Sequence, residues 1–560
     1  MIPKTIVMNT LRKWLLIYIA VLPFWGGCSL KEQLLDTPTP SNFIKSESEV
    51  ETMIAGAFNS MEDPVYRGHL YRFLFFLPDN LYNTQYRTQS EKINMNSSDA
   101  SAWLLWRNFY WGIRDVNHLL RDMEGIPLSD QYRKKALGQC MFLRGWTYYE
   151  LVRLFGGVPL RTEAVDLNSD LNVPRATVKQ VYERIFEDLK MASALLPLKN
   201  QLSAKDRYKA NKGAAQAMLA SAYLTYGVEQ DDPNALDSAI VYADSVINSG
   251  QYKLAPNFAD LWHIANENSP VVNDEVIWRV PIIGDASNRG TALPKFFTPS
   301  TINGKSYNGG NGDFRVQPWF YDLISTGDYE GDYRTEVSFY TRWTRPNGRE
   351  AVCYPFLPLT NNPQNLEPAP YVAKYVDPNG VGFYQHGNDW FWIRLAEVYL
   401  IKAEAENELH GPTQIAYDAF NKLRERARFA NGTARTVPMN LAAGLTKEEF
   451  RKKILDERAL EFVAEGQRWY DLKRIRHTDG RTMYEYMFED YLPSLPQGLP
   501  TYNKQQNKWL GGVTYPMSLL MDKDGNKLPV DAKTYLLLPI PFEEINNNER
   551  IGTEDQNPGY

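Results

Sequence analysis

Three carboxylates stand one helical turn apart in the last quarter of the chain. Glu457, Glu461 and Glu465 recur every fourth residue, with Arg458 and Arg468 beside them. Two carboxyl groups facing each other across a sugar would make a surface glycosidase, one acting as acid and the other as nucleophile or base. Carboxylates lining one helix face and flanked by arginines more readily pair with neighbouring elements, and the spacing favours that reading. Other catalytic patterns find no support. The six His are scattered, with no His-x-x-x-His or Cys-x-x-Cys pair, and neither Gly-x-x-x-x-Gly-Lys nor Gly-x-Ser-x-Gly occurs. The acidic stretch 328–332 could offer oxygen ligands to calcium, but its spacing does not fit an EF-hand. A solvated loop is expected there, and no cofactor.

Aromatic side chains carry a second kind of chemistry. They make up 13% of the chain, with 34 Tyr and 14 Trp. Most belong to ordinary core packing. In irregular segments, however, flat rings can stack on the C–H-rich faces of sugars while amides, carboxylates and guanidinium groups bond the hydroxyls in the same plane. Residues 79–106 offer Tyr82, Asn83, Tyr86, Arg87, Asn96 and Trp103. A later irregular stretch offers Tyr307, Asn308, Trp319, Tyr321, Tyr340 and Trp343. The expectation is an exposed arc of two or more of these rings. Trp106, Phe109 and Tyr110 continue into a helix reaching Leu120 and are assigned to the core.

The elements that must hold such an arc are helical. Apolar residues spaced three and four apart run through Leu137, Met141, Tyr148, Val152 and Phe155, and again through Val178, Val181, Tyr182, Ile185 and Leu189. Gly156-Gly157 and Pro197 stop these two helices. Ala214, Ala217, Ser221 and Leu224, then Leu236, Ala239, Ala243 and Val246, form a small-residue pair that allows close approach and suggests TPR-like hairpins. From about 251 to 388 the chain turns to Pro, Gly, Asn and aromatic residues, with possible strands at 275–281 and 335–343. Helical periodicity returns with Trp390, Ile393, Ala396, Leu400 and Ala403, and Thr446 with Glu449 forms a capping box. A second irregular stretch spans about 476–535. Long loops on a rigid scaffold are usually functional.

At 560 residues and 43% apolar side chains, the chain can bury a large core. A net charge of -6 from 61 basic and 67 acidic residues provides no strongly basic face, so nucleic acid is not an expected partner. Three cysteines exclude a disulfide framework. Cys140 reads as a small core residue.

The first 27 residues read as an export signal: Lys4, Arg12 and Lys13, an apolar stretch from Trp14 to Trp25, then Gly26-Gly27 before Cys28. Met8 is an alternative start. The apolar stretch falls short of the roughly 20 residues that span a bilayer, and small residues before Cys28 resemble a lipobox. Cys28 is therefore the expected lipidated N-terminus, and a lipid anchor the expected tie to the membrane. Ser29-Leu30-Lys31-Glu32 is similar to short signals that direct lipoproteins to the outer cell face.

Several segments, in order, resemble the signatures of the SusD/RagB family. Leu143-Arg144-Gly145-Trp146-Thr147-Tyr148-Tyr149-Glu150-Leu151-Val152 with Phe155-Gly156-Gly157-Val158-Pro159-Leu160 resembles its helix and Gly-Val-Pro exit. Trp392-Ile393-Arg394-Leu395-Ala396-Glu397 through Ala403-Glu404-Ala405 is similar to its Arg-x-Ala-Glu helix. Glu457-Arg458-Ala459-Leu460-Glu461-Phe462 with Glu465-Gly466-Gln467-Arg468 and Asp471-Leu472 looks like its most characteristic motif, and Leu538-Pro539-Ile540-Pro541 to Asn557-Pro558-Gly559 like its close.

The resemblance implies a mostly α-helical single domain over 28–560. About four TPR-like helix pairs, at about 43–250 and 389–475, would carry loop-rich insertions at about 251–388 and 476–535 that form a ligand face. It also implies an outer-membrane lipoprotein facing the cell exterior. Such a protein captures oligosaccharides for a SusC-like TonB-dependent transporter and catalyses nothing. The segment 79–106 lies where the family's first ligand-contacting loop falls. Two alternatives stay open: a peptide receptor of the same architecture, and a TPR scaffold that recruits proteins.

Overall fold

The computed structural model describes residues 45–64, 69–85, 95–284, 289–300, 302, 310–359, 365–380, 382–515, 520 and 526–560. Its frame is a set of helices, most of the long ones opened by the residue type that accepts orphan amide hydrogens at a helix start. They are α1 (Glu47–Pro64), α2 (Ala100–Asp122), α3 (Asp130–Phe155), α4 (Val178–Leu195), α5 (Lys212–Glu229) and α6 (Pro233–Ile247). After a short α7 (Pro318–Ser325) come α8 (Leu395–His410), α9 (Gln414–Ala427), α10 (Lys447–Glu461) and α11 (Arg468–Arg474). Asp99, Ser129, Asn211, Asp232 and Thr413 cap their helices through side-chain oxygens. Thr177 with Gln180, and Thr446 with Glu449, form reciprocal capping boxes.

The helices pack as four successive pairs, α1 with α2, α3 with α4, α5 with α6, and α8 with α9. Small residues set the closeness of two of them. A Cβ on Gly145 of α3 would stand 2.9 Å from Leu189 of α4, and one on Gly227 of α5 would meet Leu236 of α6 at the same distance. The molecule is mostly α-helical, and its helix pairs have the TPR-like form that the resemblance implies.

Short strands stitch the irregular segments onto this frame. They are β1 (Leu81–Asn83), β2 (Val276–Val280), β3 (Phe314–Val316), β4 (Arg342–Thr344), β5 (Glu350–Cys353), β6 (Asn365–Glu367), β7 (Trp390–Arg394), β8 (Thr501–Asn503) and β9 (Lys508–Leu510). β1 pairs antiparallel with β3, β2 with β7, β4 with β5, and β8 with β9, whereas β5 and β6 run parallel. Trp278 of β2 docks edge-on against Phe142 and Trp146 of α3, each at 4.9 Å between ring centroids. Burying each such side chain contributes roughly 1.5–3 kcal/mol. Ser46–Tyr560 forms one compact unit.

Two local expectations are corrected. Trp390–Arg394 is a strand, and the helix starts only at Leu395. Its run of large apolar residues is buried on both faces against β2, so tertiary pairing overrides the helical spacing. Within 335–343 the chain is first helical, at Tyr333–Ser338, because Asp332 accepts the amide hydrogen of Arg334 and starts a turn. Strand follows only at Phe339–Tyr340 and Arg342–Thr344.

Candidate functional site

The three carboxylates singled out by their spacing, two on α10 and Glu465 in the turn after it, are all paired with cations. Glu457 pairs with Arg334 at 2.7 Å and Arg424 at 3.1 Å. Glu461 takes Arg334 and Arg394, both at 3.1 Å, and Arg426. Glu465 takes Arg394 at 2.9 Å and Lys374 at 2.8 Å. Glu275, at the start of β2, closes the cluster onto Arg394 and Arg426. Burial pushes the Glu457 and Glu461 carboxyls up, but the surrounding guanidinium charges outweigh it and hold both below the usual range. A general acid needs the opposite shift. These groups tie the helical frame to the insertion through buried charge.

The expected aromatic arc is largely closed off. Tyr82 is 1% exposed and stacks on Tyr515 at 4.5 Å. Asn83 is buried and accepts the Gln85 amide hydrogen. Trp319, 5% exposed, sits edge-on to Tyr491 at 5.7 Å and forms part of the wall of a cavity of about 310 Å³ with Tyr486 and Met487. Tyr321 is buried against Phe339, and Trp343 against Tyr371.

The expectation that Tyr82, Asn83, Trp319, Tyr321 and Trp343 stand open is corrected. β1, α7 and β4 each turn these side chains inward, because the insertion needs a core of its own. Trp103 is half-buried on α2. Tyr86, Arg87, Tyr307, Asn308 and Cys28 lie outside the described residues. In the 328–332 stretch Asp332 is buried on Arg334, which corrects the solvated-loop reading for that residue, while Asp328 pairs with Lys453.

Rings that keep part of their surface in solvent occur beside the closed ones. Tyr502 and Trp509 lie directly opposite each other in the β8–β9 hairpin, their centroids 5.5 Å apart. Trp509 donates its indole hydrogen to the Phe356 carbonyl at 3.0 Å and meets Tyr354 edge-on at 6.0 Å. Tyr354 is fixed in turn by its hydroxyl, which donates to Asp322 at 2.7 Å. Phe356 is 36% exposed and rests on Tyr321 at 6.2 Å, so an expected site ring supports an open one from beneath.

Leu357 and Leu359 follow Phe356 in the chain as further exposed apolar residues, Leu359 being 76% exposed. Arg342, paired with Glu350 at 2.8 Å, lies over the Phe356 ring, and the hairpin turn adds Gln505, Gln506 and Asn507, all exposed. The arrangement provides flat faces bordered by planar hydrogen-bonding groups. The sequence carried a signal for it: Tyr502 and Trp509 flank a polar Asn-Lys-Gln-Gln-Asn turn, the pattern of a hairpin.

A family model described as the SusD family matches residues 274–560, more than half the chain, and a second, described as "Starch-binding associating with outer membrane", matches 32–224. A SusD-like protein P2 of Formosa agariphila is 29% identical over 486 residues, covering 83% of this chain and 91% of its own length. A SusD homolog from Bacteroides thetaiotaomicron superposes with a TM-score of 0.72 at 20% identity, over 93% of this chain and 98% of that one. A laminarin-binding SusD-like protein superposes at 0.65 with 22% identity, over 92% of this chain and all of that one. The helix pairs, the α10 motif with its buried partners and these matches together make the chain a member of the SusD family.

Proposed function

We propose that this protein is a carbohydrate receptor at the outer cell surface. It is held there by lipid on Cys28, and it hands captured oligosaccharides to a TonB-dependent transporter without cleaving them. The observation that carries the reading is the shelf of Trp509, Tyr502, Tyr354 and Phe356, half-buried or exposed rings positioned by a hairpin and a turn and edged by amide and guanidinium groups. Stacking on pyranose faces is the chemistry such a surface supports. The laminarin-binding neighbour and the outer-membrane description of the N-terminal match support the same reading. Among the described residues no helix is long and apolar enough to cross a membrane, so anchoring is assigned to Cys28, and Cys28→Ser should release the protein from the membrane fraction.

Isothermal titration of the full-length protein against plant, fungal and host glycans tests the function. At least one neutral oligosaccharide should bind, and Trp509→Ala should weaken it by about tenfold or more, which is about 1.4 kcal/mol. Silence across the panel, or binding of mixed peptides alone, would overturn the proposal.

A further inference from the structure

A second aromatic cleft lies on elements that contribute nothing to the shelf. Trp103, Arg107, Trp111 and Arg114 follow one another at i, i+4, i+8 and i+11 along α2, which places them on one helical face. The stripe from Trp103 to Trp111 is about 12 Å long at the rise of an α-helix. It forms one wall of a cleft of about 290 Å³, closed on the other side by the segment from Pro159 to Leu171. Trp111 is 41% exposed. The Arg107 guanidinium lies 4.4 Å from the Trp111 ring centroid and Arg114 lies 5.9 Å from it, so the ring is flanked by positive charge.

Among the described residues, two of the three arginines that line this cleft have no carboxylate partner. Arg107 makes no ion pair or hydrogen bond with a described residue, and its half-buried Nε has no partner. Arg161, also on the lining, gives its guanidinium to the Leu171 carbonyl and meets no carboxylate. Arg114, itself exposed, pairs among the described residues only with its half-buried neighbour Asp115, at 2.7 Å. Of the two lining carboxylates, Glu544 is already engaged by the Trp106 indole at 3.2 Å and by Asn548 at 2.8 Å, leaving Glu163 at the rim. A partly desolvated guanidinium without a counter-charge is unfavourable until an anion meets it. The flat rings on either side accept a sugar face. A cleft of this size is on the scale of small-ligand sites, whereas a stable protein interface buries roughly 800 Å² on each partner.

We infer that the α2 cleft is a second saccharide site, selective for a negatively charged sugar unit. One of its oxyanions, carboxylate or sulfate, pairs with Arg107 while the ring stacks on Trp111. The inference extends the carbohydrate reading of the chain but uses none of the shelf residues. Titrating the full-length protein with a galacturonate tetramer, a sulfated galactan tetramer and the neutral galactan tetramer tests it, and the first two arms separate the carboxylate source from the sulfate.

At least one acidic tetramer should bind about tenfold or more tightly than the neutral one, and weaken when salt is raised to about 0.5 M. Arg107→Gln and Trp111→Ala should each abolish that preference. Arg107→Lys, which keeps the charge but loses the planar fork, should retain part of it. Trp509→Ala should leave it intact. Equal affinity for acidic and neutral tetramers, an unaltered preference in Arg107→Gln, or an effect of the two cleft variants only on association with another protein would overturn the inference. Loss of neutral-glycan binding in Trp509→Ala with acidic binding retained separates the shelf from the cleft.

Discussion

The insertion meets the helical frame in one way and the solvent in another. Its inner contact is a buried lattice in which Glu275, Glu457, Glu461 and Glu465 are shared among Arg334, Arg394, Arg424, Arg426 and Lys374. Its outer surface at Tyr354, Phe356, Tyr502 and Trp509 is rings and aliphatic side chains with one ion pair, Arg342 to Glu350, at its edge. A lattice in which every carboxylate has several partners fixes position, because any displacement strands a buried charge. A shelf of edge-packed rings fixes little beyond itself, so its residues can vary with the ligand while the lattice holds them in the same place. The contrast predicts that lattice mutations cost stability and shelf mutations cost affinity.

The largest expected effect is on the lattice. Arg394 contacts Glu275, Glu461 and Glu465, and all four side chains are buried. Arg394→Ala leaves those carboxylates short of positive charge, and urea unfolding should report a loss of about 3–5 kcal/mol. A loss below about 1 kcal/mol would mean that the remaining cations compensate and that the lattice is not what positions the insertion.

The same lattice should fail in acid. The folded-state pKa values of Glu457 and Glu461 lie below their unfolded values, with the arginine charges overcoming burial. Groups depressed in this way stabilise the fold fully above the unfolded carboxylate value, about 4.3, and that contribution is lost as pH falls through the folded value. Thermal unfolding should therefore show a midpoint that drops steeply below about pH 4.3, and Glu457→Gln should make the drop shallower. A midpoint insensitive to acid would contradict the assigned protonation.

Shelf mutations should behave in the opposite way. Trp509 is half-buried, and what it packs on, Tyr502, Tyr354 and the Phe356 carbonyl, belongs to the hairpin and turn of the shelf and not to the frame's core. Its unfolding free energy should stay within about 1 kcal/mol of the parent, while affinity for the neutral ligand falls tenfold. A stability loss as large as that of Arg394→Ala would erase the distinction between the two regions.

The inner region was far more legible from sequence than the outer. Glu457 and Glu461 share a helix face because of spacing alone, and their arginine-rich surroundings could be anticipated from the same segment, whereas Glu465 lies in the turn after the helix, which ends at Glu461, and so departs from the helical spacing expected of it. The helix stops at Gly156, where φ is 75°, and the Thr446 capping box rest on local chemistry and were readable for the same reason. Exposure of a loop ring depends on which distant strand covers it. Tyr82 is closed by Tyr515, and Trp343 by Tyr371. Nothing within residues 79–106 or 300–345 encodes those partners. The open rings lay in 354–356 and 502–509, where the hairpin pattern was available but the pairing of Trp509 with the Phe356 carbonyl was not.

The smallest expected effect lies inside the insertion, at a neighbouring carboxyl pair without the several cationic partners that each lattice glutamate has. Glu267 accepts the Asp389 amide hydrogen at 2.7 Å, and both carboxyls share the neighbourhood of Arg279, which pairs with Asp389 at 3.3 Å. Burial, and then the Asp389 charge, push the Glu267 carboxyl up. A carboxyl raised in the folded state contributes its stability below the unfolded value, and loses it as pH rises through the folded value, the reverse of Glu457. Glu267→Gln keeps the acceptor for the Asp389 amide and removes the titration. Its melting temperature should fall less than the parent's between about pH 5 and 9. Parallel curves for the two proteins would mean that Arg279 neutralises the pair as fully as the arginines neutralise the lattice, and that the two buried clusters do not differ in kind.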